Sequence, residues 1–159
     1  MLRAAEARDR AAFVELLASP EVHTHLGGPR PRDVLDRELP DVPERWPGSF
    51  VVALDGAMIG QVLLRRSLSH RPAAAGRVDL GYLFLPWAWG FGYAAEACAA
   101  ALEWLDHVLP GEPVVLATQT ANLASMRLAA KLGFTEVERF RAWDAEQWLG
   151  LRSPVASSG

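Results

Sequence analysis

Between Val78 and His107 the chain changes period abruptly, and few folds accommodate such a change. Val78, Leu80, Tyr82 and Phe84 alternate with Asp79, Gly81 and Leu83, the two-residue repeat of a strand with one covered face. The stretch Leu85-Pro-Trp-Ala-Trp-Gly90-Phe-Gly92 follows. From Tyr93 to about His107 the pattern is that of an alanine-rich helix, stopped by Pro110-Gly111. Pro113–Thr118, with Val114, Val115 and Leu116 in a row, reads as the next, buried strand. A strand–helix–strand unit of this kind puts its two strands parallel. The expected fold is therefore α/β, a single domain with a mixed, largely antiparallel sheet flanked by helices and a parallel element near Leu80 and Val115.

The remaining segments fit around that unit. A strand stub at Met1–Ala4 precedes a helix over Asp9–Ala18, with Asp9 as N-cap, Phe13, Leu16 and Leu17 as its apolar stripe and Pro20 beyond its end. Glu21–Trp46 reads as loop and short helix. Ser49–Leu54 and Ala57–Arg66 form a hairpin about Asp55-Gly56, a strong turn signal. Ser67–Gly76 is a loop, Asn122–Leu132 a helix closed by Gly133, and Phe134–Trp143 with Gln147–Arg152 a last hairpin. Residues 1–152 are expected to form one domain and 153–159 a frayed tail.

Composition excludes several functions. A net charge of −3 with a pI near 5.8 carries no basic footprint, so no nucleic-acid partner is expected. The most apolar stretch, Leu80 to Leu105, is broken by Pro86, Gly90, Gly92, Glu96 and Glu103, so it is not a membrane span. Met1 runs into charged residues rather than an apolar leader, and the lone Cys98 excludes an internal disulfide; a cytoplasmic location is expected. His23-Thr-His25 has no further ligands at metal spacing, so no metal site is expected.

Gly90-Phe91-Gly92 sits where a helix begins, and the first turn of a helix offers unpaired N–H groups and the positive end of its dipole. That geometry holds phosphate, and it equally describes a tight packed turn. Gly90-x-Gly92-x-x-Ala95 also fits a relaxed dinucleotide fingerprint. That fingerprint expects an acid about 20 residues on, at the end of the next strand, where Thr118-Gln119 stands instead.

Trp89-Gly-Phe-Gly-Tyr-Ala-Ala-Glu-Ala97 resembles the acetyl-CoA pyrophosphate loop of the GNAT N-acetyltransferase superfamily. Asn122-Leu-Ala-Ser125 followed by Lys131-Leu-Gly133-Phe134 resembles the signature of its ribosomal-protein-alanine acetyltransferase-like branch. The similarity extends to Val78-Asp-Leu-Gly-Tyr82, Pro20-Glu-Val22 and Leu26-Gly-Gly. The resemblance implies a GNAT fold, acetyl-CoA as cosubstrate and a primary amine as acceptor, either a protein N-terminus or a small molecule. Reaction is then by direct attack in a ternary complex; the alternative is an inactive acyl-CoA-binding module of the same fold. A homodimer is left open.

Carried over residue by residue, the backbone from Gly90 to Ala94, including Phe91, Gly92 and Tyr93, holds the pyrophosphate. Leu83, Phe84 and Leu85 flank the pantetheine arm, and one of their N–H groups polarises the thioester carbonyl. Trp89 stands where the pattern has Arg or Gln, and Phe91 where this branch often has a polar residue. Asn122 either hydrogen-bonds pantetheine, caps its helix, or does both. Ser125 either protonates the departing thiolate or satisfies local backbone. Lys131, with Arg127 four residues before it, either meets the adenosine 3′-phosphate or lies on a solvated face. Superfamily members often use a Glu and a Tyr at the positions of Ala117 and Ala129. Asp79 then remains as general base or as a structural hydrogen-bonding group. His23 or His25 borders the acceptor pocket, and Cys98 reads as a packing residue.

Overall fold

The computed structural model describes residues 1–24, 29–41, 43, 47–67 and 69–153. His25, Gly27-Gly28, Trp46 and the expected tail from residue 154 onward lie outside them. The chain forms strands β1 (Leu2–Arg3), β2 (Ser49–Leu54), β3 (Ala57–Arg66), β4 (Val78–Phe84), β5 (Val114–Gln119), β6 (Thr135–Ala142) and β7 (Ala145–Arg152). The helices are α1 (Arg10–Ala18), α2 (Arg32–Glu38), α3 (Tyr93–Val108) and α4 (Leu123–Lys131). All seven strands lie in one sheet in the order β1-β2-β3-β4-β5-β7-β6.

Local chemistry explains the turns. Asp55 and Gly56 take φ of 52° and 83°, left-handed at both positions as a type I′ hairpin requires. Trp143 and Asp144 repeat the device with φ of 51° and 57°. β7 therefore begins at Ala145, two residues before the expected Gln147. Two expectations at the N-terminus are corrected. Val14, not Leu17, completes the buried stripe of α1 with Phe13 and Leu16. Asp9 stands at the N-cap position of α1 but makes no side-chain cap bond there: its carboxylate accepts the Glu6 N–H at 2.8 Å and both ends of the Arg3 guanidinium at 2.7 and 2.8 Å, and it is 2% exposed. Arg3 holds that carboxyl below the usual range, because the charged form is the one the guanidinium binds.

The two sheet faces are covered by different helices. Val78, Leu80 and Phe84 of β4 pack with Cys98, Ala101, Leu102 and Leu105 of α3 and with Leu128 and Ala129 of α4. On the opposite face Phe13 and Leu16 of α1 pack with Val51, Met58 and Leu85.

The parallel element is present but short. β4 keeps β3 along its whole length, from Val78↔Arg66 to Phe84↔Gly60. It pairs β5 only at Val78↔Val114 and Asp79↔Val115, a rung or two before the expected Leu80. Beyond that point β5 holds β7 alone, from Val114↔Arg152 to Gln119↔Gln147. The sheet therefore splits between β4 and β5 toward their C-terminal ends.

Gly60 fixes the end of β4: a Cβ there would come within 2.5 Å of the Phe84 ring and 2.7 Å of the Leu83 carbonyl oxygen. Gly60→Ala is expected to cost about 1–3 kcal/mol in urea unfolding, since neither backbone nor ring can step aside cheaply. An unchanged midpoint would contradict this packing.

Candidate functional site

Three pieces meet at the mouth of the split. The first is the turn into α3. Leu85 N–H donates to Ile59 O at 2.9 Å, and the 3-10 turn Pro86–Ala88 closes with Trp89 N–H to Pro86 O at 3.1 Å. The Trp89 indole N–H folds back to donate to Phe84 O at 2.9 Å. Trp89 thus braces the loop against the end of β4. Gly90 and Gly92 take φ of 84° and 80°, and nothing lies within 4 Å of a Cβ built on either. Their requirement is conformational, not steric crowding.

Gly92 is the N-cap of the 16-residue α3, and the first bond across that cap runs from Glu96 N–H to Gly92 O at 3.1 Å. The amides of Gly92, Tyr93, Ala94 and Ala95 are the four that a helix start leaves unpaired. They lie at the positive end of the α3 dipole. Phe91, 67% exposed, stacks on Tyr93 with ring centres 5.6 Å apart.

The second piece is the start of α4, beyond β5. Asn122 caps it, its Oδ1 accepting Ser125 N–H at 3.2 Å. That bond uses the amide oxygen, and the Asn122 side-chain NH2 is the donor that it leaves over. Ser125 does not spend its hydroxyl on local backbone: the buried Oγ lies 2.5 Å from the Tyr82 hydroxyl of β4. Arg127 and Lys131 are exposed, Lys131 at the far end of α4 in its last turn.

The third piece is the free side of β4. Amides alternate sides along a strand paired with an antiparallel neighbour. Leu85 N–H faces β3, so Leu83 does too, while Leu80, Tyr82 and Phe84 turn their backbone groups toward the split. Of Leu83, Phe84 and Leu85, it is Phe84 whose N–H faces the opening. The Phe84 and Leu85 side chains are themselves buried on opposite faces of the sheet.

Asp79 stands at the last rung before the split, on the face of β4 opposite Tyr82. Beyond it that face is small and open: a Cβ on Gly81 would meet only Leu63 Cβ, at 4.0 Å, and Ala117 of β5 is exposed. Behind it Ala74 of the β3–β4 loop covers Val115, the residue paired with Asp79. Arg71 pins that loop by binding Glu138 at 2.5 Å and stacking 3.3 Å over the Phe140 ring. Burial pushes the Asp79 carboxyl up to about 6, and the positive charge of Arg65, opposite it on β3, draws it partly back.

Two further sequence candidates have partners of their own. Cys98 is fully buried and burial pushes its thiol up to about 12, so it is a packing residue rather than a nucleophile. His23 Nδ1 bonds Ser19 O at 3.0 Å. Among the described residues no group of three His, Cys, Asp or Glu could hold a metal ion, and no helix is long and apolar enough to cross a membrane. Tyr82 is the site residue that sequence reasoning missed. Its strand periodicity marks it as core, and the hint was a hydroxyl in an otherwise apolar alternation.

A parallel pair that parts after two rungs, with one helix starting beyond each strand, is the feature to set beside known proteins. Residues 1–135 match the family model of the acetyltransferase (GNAT) domain, and the chain belongs to that family. It is 27% identical over 152 residues to the uncharacterized protein YkkB of Bacillus subtilis, covering 90% of this chain and 86% of that one. Its fold is similar to a GNAT-family acetyltransferase from Bacillus anthracis, with TM-score 0.75, 17% identity, and coverage of 96% and 93%. It is also similar to aminoglycoside acetyltransferase AAC(6')-Ib in complex with coenzyme A, with TM-score 0.73, 18% identity, and coverage of 96% and 94%.

Asp79 yields a test independent of activity. Its folded pKa near 6 lies above the ordinary value of about 3.9, so the folded state binds the extra proton between those values and loses stability as pH rises through them. Asp79→Asn removes the penalty. The variant should melt higher than wild type above about pH 6 and level with it near about pH 4. A variant that melts lower than wild type at neutral pH would mean that the carboxylate is a structural partner.

Proposed function

We propose that the chain transfers the acetyl group of acetyl-CoA to a primary amine, by direct attack within a ternary complex. The observation that carries this reading is the split between β4 and β5, with the unpaired amides of Gly92 to Ala95 at its mouth. Those amides, with Gly90 and Phe91 before them, receive the pyrophosphate through backbone alone. Pantetheine lies along the exposed edge of β4, where the backbone groups of Tyr82 and the N–H of Phe84 can bond it as a missing strand would. The Phe84 N–H is the donor to the thioester carbonyl, and the Asn122 side-chain amide bonds pantetheine from the other wall. Lys131, exposed on α4, offers its charge to the adenosine 3′-phosphate.

The amine approaches on the other face, over Gly81 and Ala117. A free amine is mostly protonated at neutral pH, and Asp79, five residues along β4 from Phe84, is the candidate base to take that proton through a chain of water. With a pKa near 6, it is ionised at neutral pH yet more basic than an ordinary carboxylate. Attack then forms the C–N bond and breaks C–S, releasing CoA. Thioester activation and fixed geometry supply the rest of the rate.

The acceptor is a protein α-amino group or a small-molecule amine. The Asn122…Ser125…Lys131-Leu-Gly133-Phe134 pattern favours the first, through the ribosomal-protein-alanine branch it resembles. Likeness of fold to AAC(6')-Ib, solved with aminoglycosides and CoA, favours the second. The reading calls on acetyl-CoA and an amine as partners and not on nucleic acid or a membrane; a cytoplasmic location accords with the single buried cysteine. A second reading, an acyl-CoA-binding module without turnover, is favoured by Ala117 and Ala129 where many relatives have Glu and Tyr.

Thiol release from acetyl-CoA across a panel of peptide N-termini and small amines separates the two, since binding without release on any amine would support the module. Gly92→Glu sets bulk and negative charge among the phosphate donors and is expected to weaken acetyl-CoA binding by roughly 100-fold, about 2.7 kcal/mol. Unchanged affinity in a calorimetric titration would contradict the assignment of the loop.

A further inference from the structure

Tyr82 occupies a covered position of β4, where Val78, Leu80 and Phe84 are purely apolar. Its hydroxyl is not needed for packing. It meets Ser125 Oγ at 2.5 Å, a residue 43 positions away in the chain. This bond runs from the strand on one side of the split to the first turn of the helix on the other side.

The two hydroxyls hold two hydrogens, and the bond between them uses one. The pair therefore keeps one free O–H. Burial pushes the Tyr82 phenol up to about 12, and the bond to Ser125 draws it partly back. An ordinary phenol is a stronger acid than an alcohol, which favours Tyr82 as the donor and the aliphatic Ser125 oxygen as the acceptor. The free hydrogen then belongs to Ser125. Asn122 holds the Ser125 backbone N–H and Tyr82 holds its Oγ, which leaves the serine little rotational freedom. The neighbouring titratable group, Cys98 of α3, stays a neutral thiol because burial pushes it up to about 12.

We propose that Tyr82 is a positioning residue: it fixes the Ser125 hydroxyl so that its free hydrogen donates to the sulfur of the departing CoA. The proposal rests on the acetyl-CoA reading above. As the amine nitrogen forms its bond to the carbonyl carbon, the C–S bond breaks and its electron pair settles on sulfur. The nitrogen loses its proton to Asp79 or water, and the thiolate accepts the Ser125 hydrogen bond. The proton itself stays on oxygen, because phenol and alcohol are both weaker acids than an alkyl thiol, whose ordinary pKa is about 8.5. Water later protonates the thiolate.

The test uses Tyr82→Phe, which keeps the ring, with Ser125→Ala and the double variant. Two readouts are needed: steady-state kinetics, and CoA affinity by titration from about pH 6 to about pH 9.5, across the ordinary thiol pKa. The kinetic arm predicts that each single variant lowers kcat roughly tenfold or more with KM for acetyl-CoA nearly unchanged, the worth of a hydrogen bond to a charged group. The double variant should be no slower than the slower single one. The binding arm, which needs no acceptor, predicts that wild type binds CoA more tightly as pH rises through the thiol pKa and that both variants lose that gain. Overturning results are a lowered melting temperature with kcat and the pH gain intact, or losses that add in the double variant. A wild-type chain that binds no CoA at any pH removes the acetyl-CoA reading, and this proposal with it; binding without the pH gain removes this proposal alone.

Discussion

Two hydrogen-bonded rungs between β4 and β5, Val78↔Val114 and Asp79↔Val115, set the terms for everything around them. They hold two parallel strands together at one end and release them at the other. Because the strands are parallel, α3 and α4 both begin at the released end. Two helix N-termini then begin beside one opening: α3 brings the unpaired amides of Gly92 to Ala95, and α4 an N-terminus capped by Asn122. Antiparallel neighbours could not produce this, since their following elements would leave from opposite edges.

The split also divides chemistry between two faces. On the α3 and α4 face the core is closed by small residues, Ala101 and Ala129 among them, and a polar bridge, Tyr82 to Ser125, runs through it. On the α1 and α2 face, Asp79 sits under the β3–β4 loop that Arg71 clamps to β6, with Gly81 and Ala117 leaving space beyond it. The carboxylate is destabilised in its charged form by this cover, and the same cover makes it a better proton acceptor. In the proposed reading, cofactor and acceptor groups are thus kept on opposite sides of one strand and meet at the sheet opening.

What the sequence made legible was what neighbouring residues decide. Asp55-Gly56 specified its hairpin, Pro110-Gly111 stopped α3, and Asn122 and Gly133 bounded α4. The glycines before Tyr93 marked the loop, because left-handed backbone at a helix start is a local demand. Contacts between distant segments were not legible. Asp9 has the residue type of an N-cap, but the Arg3 guanidinium claims its carboxylate. Trp143-Asp144 lacks the usual glycine of a type I′ turn, and the pairing of β6 with β7 imposes that turn on an exposed tryptophan. Tyr82 was hidden by its own periodicity. The direction of the Trp89 indole depends on the Phe84 carbonyl at the end of a strand that periodicity alone cannot place in three dimensions.

The claim that the opening between β4 and β5 is a cofactor site rests on which backbone groups acetyl-CoA touches. The most direct measurement is a titration of the 15N-labelled protein with acetyl-CoA, followed amide by amide in solution. The account predicts the largest shifts at Gly90, Gly92, Tyr93 and Ala94 and along Tyr82 to Phe84, together with the Asn122 side chain, and small shifts on α1 and α2. Saturable binding whose shifts cluster elsewhere, with Gly92 and Tyr93 unmoved, would contradict it.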